Sequence, residues 1–163
     1  MKITEGSLVI HWRDGLSKIK SVFTKNEKEY ISLVVLRDQD CEIFIPVSSC
    51  ESYIRDIMSV EQGDELLRYI KTIEQEFNTN TKHRRDVYKR RLASSDIKDI
   101  AYMYRQYYFY KKLEDPDNVI KLRPIDIDML SYAETRILDE LALTYNVDRN
   151  EAEEFVNKRI ENL

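Results

Sequence analysis

The hydrophobic positions follow two different periods along the chain, and the period changes near residue 59. The N-terminal part contains short runs rich in β-branched and aromatic residues, namely SLVIHW, LSKIKSVF, YISLVVLR and EIFIPV. Polar, turn-forming clusters separate these runs at residues 13–15, 24–29 and 37–40. Such runs are typical of β-strands. Four or five short strands with tight connections predict a small, strongly bent sheet or barrel.

From residue 59 onward the apolar residues recur at spacings of three and four, which indicates helices. The predicted helical stripes are Leu66, Ile70, Ile73 and Phe77; Tyr88 and Leu92; Ile97, Ile100, Ala101, Tyr104 and Tyr108; Leu130, Ala133, Ile137, Leu141 and Tyr145; and Ala152, Phe155, Val156 and Ile160. EDPDN, at 114–118, is predicted to be a loop, and Asp148 with Glu151 forms a capping-box-like pair that predicts the start of the last helix. The predicted fold class is therefore α+β, with a β-sheet unit at residues 1–58 and a bundle of about five α-helices at 59–163.

The composition agrees with a mainly helical protein, because 163 residues contain only three Gly and three Pro. No apolar stretch reaches the length of roughly 18 residues that crosses a bilayer. The segment MKITEGSLVI also lacks the apolar centre of a signal peptide. Cys41 and Cys50 have no metal-binding or redox spacing and are expected to be reduced thiols. These features predict a cytoplasmic location.

No catalytic motif is recognisable in the sequence. It contains no Gly-rich phosphate loop, no G-x-S-x-G and no H-E-x-x-H. His11 and His83 lie in different halves, whereas a metal site requires more ligands at closer spacing. Asp126 and Asp128 could pair around a cation, but a solvated first turn of a helix is the favoured interpretation. We therefore expect no enzymatic activity, no cofactor and no metal site.

The charge is distributed unevenly along a chain whose net charge is −4. Residues 78–112 contain ten Lys or Arg against three Asp, a net charge of +7, which leaves −11 for the remainder. The cations are densest in TKHRRDVYKRR, here called the basic segment (Thr81–Arg91). A run of cations is often only a solvated helix face, yet these fall within a few helical turns and suit phosphate binding. The candidate DNA-binding residues are Lys82, His83, Arg84, Arg85, Lys89, Arg90 and Arg91.

The tyrosines allow two interpretations as well. AYMYRQYYFY contains five Tyr in ten residues, interleaved with or followed by Arg105, Lys111 and Lys112. Such a pattern can form a stacking surface for bases. At helical spacing, however, most of these rings must face the bundle core with their hydroxyls at the rim. Tyr102 and Tyr110 lie off the main stripe and are the candidates for exposure.

Three motifs resemble the CarD/CdnL family of bacterial RNA-polymerase-binding transcription regulators. EGSLVIHWRDGLSKIKSV is similar to the family's opening G-D-x-V-V-Y-P-x-H-G-V-G-x-I. RLASSDIKDIAYMYRQY resembles L-x-S-G-D-x-x-x-V-A-x-V-V-R-D-L, and MLSYAETRILDELALTYNV resembles M-L-x-x-A-x-x-I-L-x-x-E-L-A-L-A-x-x-I. The resemblance covers nearly the whole chain. The N-terminal module is also similar to that of transcription-repair coupling factors.

The resemblance implies a separate binding role for each of the two units. Residues 1–58 would be a Tudor-like module that docks on the RNA polymerase β subunit by strand pairing. The docking residues would be Val35, Arg37, Glu42, Ile43, Phe44, Ile45 and Pro46. Residues 59–163 would contact promoter DNA, mainly its backbone and minor groove, near the upstream edge of the bubble and modulate open-complex stability. The protein is expected to act as a monomer.

The chain departs from the family pattern at two places. The family inserts a Trp into the minor groove, and its position falls at Thr81 or Lys82 here. The sole tryptophan, Trp12, is expected to be a surface or polymerase-facing residue of the N-terminal module. Either His83 or Tyr88 would substitute weakly for the wedge, or the grip on phosphate alone would suffice. Phe44 stands where the family often has Arg, which implies apolar docking instead of a salt link. The alternative function is a non-DNA adaptor whose basic helical face meets an acidic protein.

Overall fold

The computed structural model describes residues 3–114 and 120–163. The chain divides into two compact units, residues 1–58 and 59–163. Within the described ranges the first unit contains β-strands and one 3₁₀ helix, and the second contains five α-helices. The predicted α+β class, a bent sheet followed by a helical bundle, is confirmed.

The first unit is a five-stranded antiparallel sheet with the strand order β4-β3-β2-β1-β5. Its elements are β1 (Leu8–His11), β2 (Gly15–Lys25), β3 (Lys28–Val35), β4 (Asp38–Pro46), a 3₁₀ helix (Val47–Ser52) and β5 (Ile54–Arg55). A register shift between Ile19 and Ser21 marks a bulge in β2, and bulges bend and twist strands. The bent sheet encloses a small core of Val9, Ile19, Ile31, Leu33, Ile45, Cys50 and Ile54.

A tight turn joins β2 to β3. Asn26 and Glu27 both have positive φ, 51° and 61°, as a type I′ hairpin turn requires. The turn sets the register that pairs Lys25 with Lys28 and Phe23 with Tyr30. Directly paired residues point to the same face of a sheet, so two lysines and two aromatic rings share one face.

The second unit contains α1 (Val60–Thr72), α2 (Thr81–Leu92), α3 (Ile97–Lys111), α4 (Pro124–Tyr145) and α5 (Ala152–Asn162). Of the loop predicted at 114–118, all but Glu114 lies outside the described residues. The bundle core includes Leu67, Ile70, Ile100, Tyr104, Leu130 and Ile137, none of which is exposed to solvent. None of the helices in the described ranges has the length and apolar character needed to span a membrane.

Two helix boundaries differ from the prediction. The first predicted stripe included Ile73 and Phe77, but α1 ends at Thr72. The buried amide of Gln106 accepts a hydrogen bond from the backbone N–H of Glu76 and donates one to the carbonyl of Glu74, both at 2.8 Å. These bonds to a residue of α3 replace the backbone bonds that would have continued the helix.

The start of α5 is also later than predicted. The side chain of Asp148 accepts from the backbone N–H of Asn150 at 2.8 Å and so closes a turn. The residue before the helix is Glu151, whose side chain caps no N–H group. The predicted capping pair of Asp148 and Glu151 is therefore wrong, because the Asp closes a turn of its own.

An ion pair with a tyrosine joins three helices of the second unit. Asp64 of α1 accepts two hydrogen bonds from Arg159 of α5, at 2.7 and 2.8 Å, and a third at 2.7 Å from the Tyr145 hydroxyl at the end of α4. These donors lower the pKa of Asp64 to about 2. Gly63 packs directly against this cluster, since a Cβ at that position would lie 2.8 Å from the Tyr145 hydroxyl.

Candidate nucleic-acid interface

The basic segment forms nearly all of α2. The helix begins after Asn80, whose side-chain oxygen accepts the backbone N–H of His83 at 3.1 Å. Asn at this position satisfies one of the free N–H groups of the first turn. The helical repeat then distributes the charged residues over different faces, since residues spaced by four and three align. Arg84, Tyr88 and Arg91 share the face that packs inward.

Arg84 is buried and cannot contact DNA. Only 2% of it is exposed, and its Nη2 donates to Oδ2 of Asp126 at 2.8 Å. The Arg84 guanidinium also donates to the backbone carbonyls of Asn78, from Nη1 at 2.7 Å, and of Lys121, from Nη2 at 3.2 Å. The prediction of Arg84 as a phosphate contact is corrected accordingly. The prediction of Asp126 as a solvated residue is wrong too, because its side chain is fully buried.

Arg91 is committed to partners within the helical unit. Its guanidinium pairs with Asp99 and lies 3.9 Å from the centre of the Tyr102 ring. The Tyr102 hydroxyl donates in turn to Glu76 at 2.9 Å. Burial and this carboxylate raise the pKa of Tyr102. Arg91 and Tyr102 are both half-buried. Arg91 was predicted to contact DNA and Tyr102 to be exposed, but neither is a free surface group.

Four cations of α2 remain on its outer side, and we call them the basic face: Lys82, Arg85, Lys89 and Arg90. Lys82, Arg85 and Lys89 follow one stripe at spacings of three and four. Lys82, Lys89 and Arg90 are exposed and Arg85 is half-buried. Among the described residues none of the four has an ion-pair partner. The exposed residues His83 and Asp86 lie beside them, and the surface therefore carries a local excess of positive charge.

Neither predicted substitute for the missing Trp is equivalent to it. Tyr88 is 3% exposed, and its burial raises its pKa to about 12. It therefore cannot reach a base step, and its prediction as a substitute is wrong. His83 is exposed near the start of α2 and remains a predicted contact.

Three of the five tyrosines of α3, namely Tyr102, Tyr107 and Tyr108, contact cations of their own unit. Tyr104 is fully buried, whereas Tyr107, Tyr108 and Tyr110 are half-buried. The guanidinium of Arg105 lies 4.7 and 4.6 Å from the ring centres of Tyr108 and Phe109. Lys111 is held by Glu134 and Glu153. Tyr107 and Tyr108 thus already form cation–π contacts, whereas Tyr110 stacks on Tyr107 with ring centres 6.5 Å apart.

The predicted docking residues of the first unit divide by burial. Val35 and Ile45 are 6% and 3% exposed and belong to the core, so their side chains cannot contact a partner. Phe44, by contrast, is 58% exposed. Glu42 accepts from Ser32 and pairs with Lys20 at 3.0 Å. Arg37 is exposed, whereas Ile43 and Pro46 are half-buried. Trp12 is half-buried in the same unit, and its backbone N–H donates to Tyr53 at 2.9 Å.

Within residues 3–114 and 120–163, no three His, Cys, Asp or Glu side chains come together as metal ligands. The two cysteines are free thiols, with Cys50 buried and Cys41 half-buried.

A sheet unit followed by a helical unit is the order of parts that the resemblance to the CarD/CdnL family implied. Residues 65–157 match the family described as CarD, C-terminal domain. The match covers more than half of the chain, and the chain therefore belongs to the CarD family. It is a transcription-related protein of a family of RNA-polymerase-binding regulators rather than of enzymes. Comparison with curated proteins gave no match.

Proposed function

We propose that this protein docks on the β subunit of bacterial RNA polymerase and holds promoter DNA at the upstream edge of the bubble. Docking would use the exposed edge of β4, and DNA would lie on the basic face of α2. The proposal rests chiefly on one observation. Four cations without ion-pair partners in the described residues lie on one side of a helix inside the region that matches the CarD C-terminal domain.

The basic face is suited to phosphate groups rather than to base edges. Lys and Arg neutralise phosphates and release counterions, which gives affinity without sequence selection. Four contacts on an acidic chain provide weak binding, and we expect a dissociation constant above about 10⁻⁵ M for free duplex at physiological salt. Attachment to the polymerase would supply the missing affinity, because tethering raises the effective concentration of DNA at the helix.

The sheet supports the docking half of the proposal through its strand order. β4 is the first strand of the order β4-β3-β2-β1-β5, so one of its edges pairs with no strand in the described sheet. An edge strand presents unpaired N–H and C=O groups to which an extended segment can add. The buried Val35 and Ile45 would shape this edge from within, while Glu42, Phe44 and Pro46 would meet the partner. A monomeric state and a cytoplasmic location remain predictions.

The basic face can be tested by reversing two of its charges. In Lys89→Glu/Arg90→Glu, both changes are at exposed positions of α2, so the fold should persist. We expect the effect of the protein on open-complex lifetime to disappear while polymerase binding is retained. The measurement follows a fluorescent base in the bubble with the cognate polymerase and a ribosomal-type promoter, and uses far-UV circular dichroism to check folding.

The matched control is Arg68→Glu/Lys71→Glu, which makes the same change of charge at two exposed positions of α1. It should keep the effect on the open complex. Equal loss in both variants would contradict a local DNA grip and indicate a response to net charge alone. If the protein binds polymerase without changing the bubble, and instead forms a salt-sensitive complex with an acidic protein, the adaptor function replaces the proposed one.

A further inference from the structure

An aromatic groove lies on the outer face of the sheet. Phe23, Tyr30 and Phe44 come from β2, β3 and β4, and the Phe23 ring contacts both of the other rings. The Phe23 and Tyr30 rings are stacked with centres 5.8 Å apart, and Phe44 meets Phe23 edge-on at 5.7 Å. These rings and the side chains of Lys25 and Asn26 line a groove of about 590 Å³.

The exposure of these rings is unusual for a sheet surface. Phe44 is 58% exposed, and Phe23 and Tyr30 are half-buried. The groove is therefore an apolar patch on the solvent side of the sheet, away from the core that Ile31, Leu33 and Ile45 fill. Contiguous apolar surface of this kind marks interaction sites more often than single exposed residues do.

Two lysines at one end of the groove indicate the charge of the occupant. Lys25 and Lys28 are directly opposite each other in the β2–β3 register, on the face that carries Phe23 and Tyr30. Both are exposed, and neither has an ion-pair partner among the described residues. Like charges in direct cross-strand pairs are unfavourable. An anionic group on the occupant would relieve this repulsion.

We propose that the groove binds an extended acidic protein segment. The segment would place one apolar side chain among Phe23, Tyr30 and Phe44 and a neighbouring carboxylate against Lys25 and Lys28. This inference deepens the proposed docking and rests on it, since the occupant would be the docking segment of the polymerase. The groove then selects the partner by the chemistry of its side chains, whereas strand pairing at β4 uses only the backbone.

Two single substitutions test the two halves of the groove. Phe44→Ser removes the most exposed ring, and Lys28→Glu places a carboxylate opposite Lys25. The second change replaces repulsion by attraction within the sheet, so the unfolding temperature should not fall. The first probe is a short fluorescein-labelled peptide in which a Phe is flanked by Asp, measured by anisotropy with the full chain. We expect each variant to weaken binding at least tenfold.

The second probe is the cognate polymerase, measured with the same variants by surface-immobilised binding. We expect both variants to lose affinity for the polymerase as they lose affinity for the acidic peptide. A control peptide with Lys in place of each Asp should not bind the wild-type protein. If the polymerase binds wild type and both variants equally, the groove inference fails and the proposed docking stands. If the acidic peptide binds as expected but the polymerase does not bind at all, the docking fails and the groove remains a site for acidic segments. Equal binding of both peptides, or displacement of the peptide by single-stranded DNA, would overturn the inference.

Discussion

The phase of each side chain on its helix decides the role of adjacent arginines. Arg84 and Arg85 are neighbours in the basic segment, yet Arg84 is buried with Asp126 and Arg85 lies on the basic face. Successive residues of a helix point about 100° apart. The apolar Tyr88 marks the inward face, and Arg84 lies four residues before it. The four-residue spacing between Arg84 and Tyr88 indicates that both side chains point inward, whereas a count of the cations in the basic segment gives no information on direction.

Loss of Arg84 should destabilise the helical unit strongly. In Arg84→Met the carboxylate of Asp126 stays buried without its cation, while the hydrophobic volume is largely kept. Breaking a buried pair by removing one partner costs about 3–5 kcal/mol. We expect a reduction of this size in the free energy of unfolding, measured by urea denaturation followed by circular dichroism.

Two further variants test whether the loss of stability in Arg84→Met comes from breaking the ion pair between Arg84 and Asp126. Arg85→Met, at the neighbouring position, should change stability by no more than about 0.5 kcal/mol. Arg84→Met/Asp126→Asn removes both charges and keeps an acceptor for the backbone N–H of Arg123, which Asp126 binds at 3.1 Å. The double variant should be more stable than Arg84→Met alone. Additive losses would show that the two side chains are not coupled.

At the scale of elements, local periodicity predicted which helices and strands exist but not where all of them end. Strands β1 to β4 follow the four apolar runs because alternation and turn residues are local signals, whereas the two-residue β5 lies outside these runs. The end of α1 depends on Gln106, which lies in another helix some 30 residues further along the chain. Contacts of that range have no local signature, and the predicted continuation to Phe77 failed for this reason.

The junction of α1 with α4 depends on the absence of a side chain at Gly63. In Gly63→Ala the new Cβ would lie 2.8 Å from the Tyr145 hydroxyl, which its hydrogen bond to Asp64 holds in place. Overpacking costs about 1–3 kcal/mol and should exceed the helix gain of about 0.5–1 kcal/mol for replacing Gly by Ala. We expect a lower free energy of unfolding in thermal or urea denaturation.

The variant Tyr145→Phe tests whether the cost of Gly63→Ala comes from the contact between the new Cβ and the Tyr145 hydroxyl. It removes the hydroxyl nearest to the new Cβ, although it also removes one hydrogen bond to Asp64. Gly63→Ala should therefore cost less in the Tyr145→Phe protein than in the wild type. An equal cost in both backgrounds would place the strain elsewhere, for example at the Thr144 methyl group, 3.1 Å from the same Cβ position.

For the whole molecule, the sequence predicted more of the architecture than of the candidate interfaces. The change of period near residue 59 and the motif order were enough to predict a β unit, a helical unit and the family. The aromatic groove was not predicted, because it requires the register that brings Phe23, Tyr30 and Phe44 together from three strands. The basic face was predicted with two residues too many, since Arg84 and Arg91 are paired within the bundle.

The distribution of charge over the molecule makes a quantitative prediction for DNA binding. The chain has a net charge of −4, so the proposed attraction to DNA requires a local excess of positive charge, which we assign to the basic face. Four phosphate contacts predict that the logarithm of the association constant falls with the logarithm of salt concentration with a slope of about −3 to −4.

Lys89→Gln should reduce the magnitude of this slope by about one, whereas Lys71→Gln on α1 should leave the slope unchanged. Anisotropy titrations with labelled duplex over a range of salt concentrations measure both slopes. Equal slopes for wild type and Lys89→Gln would mean that α2 does not contact phosphate, and the proposed grip on promoter DNA would have to be abandoned.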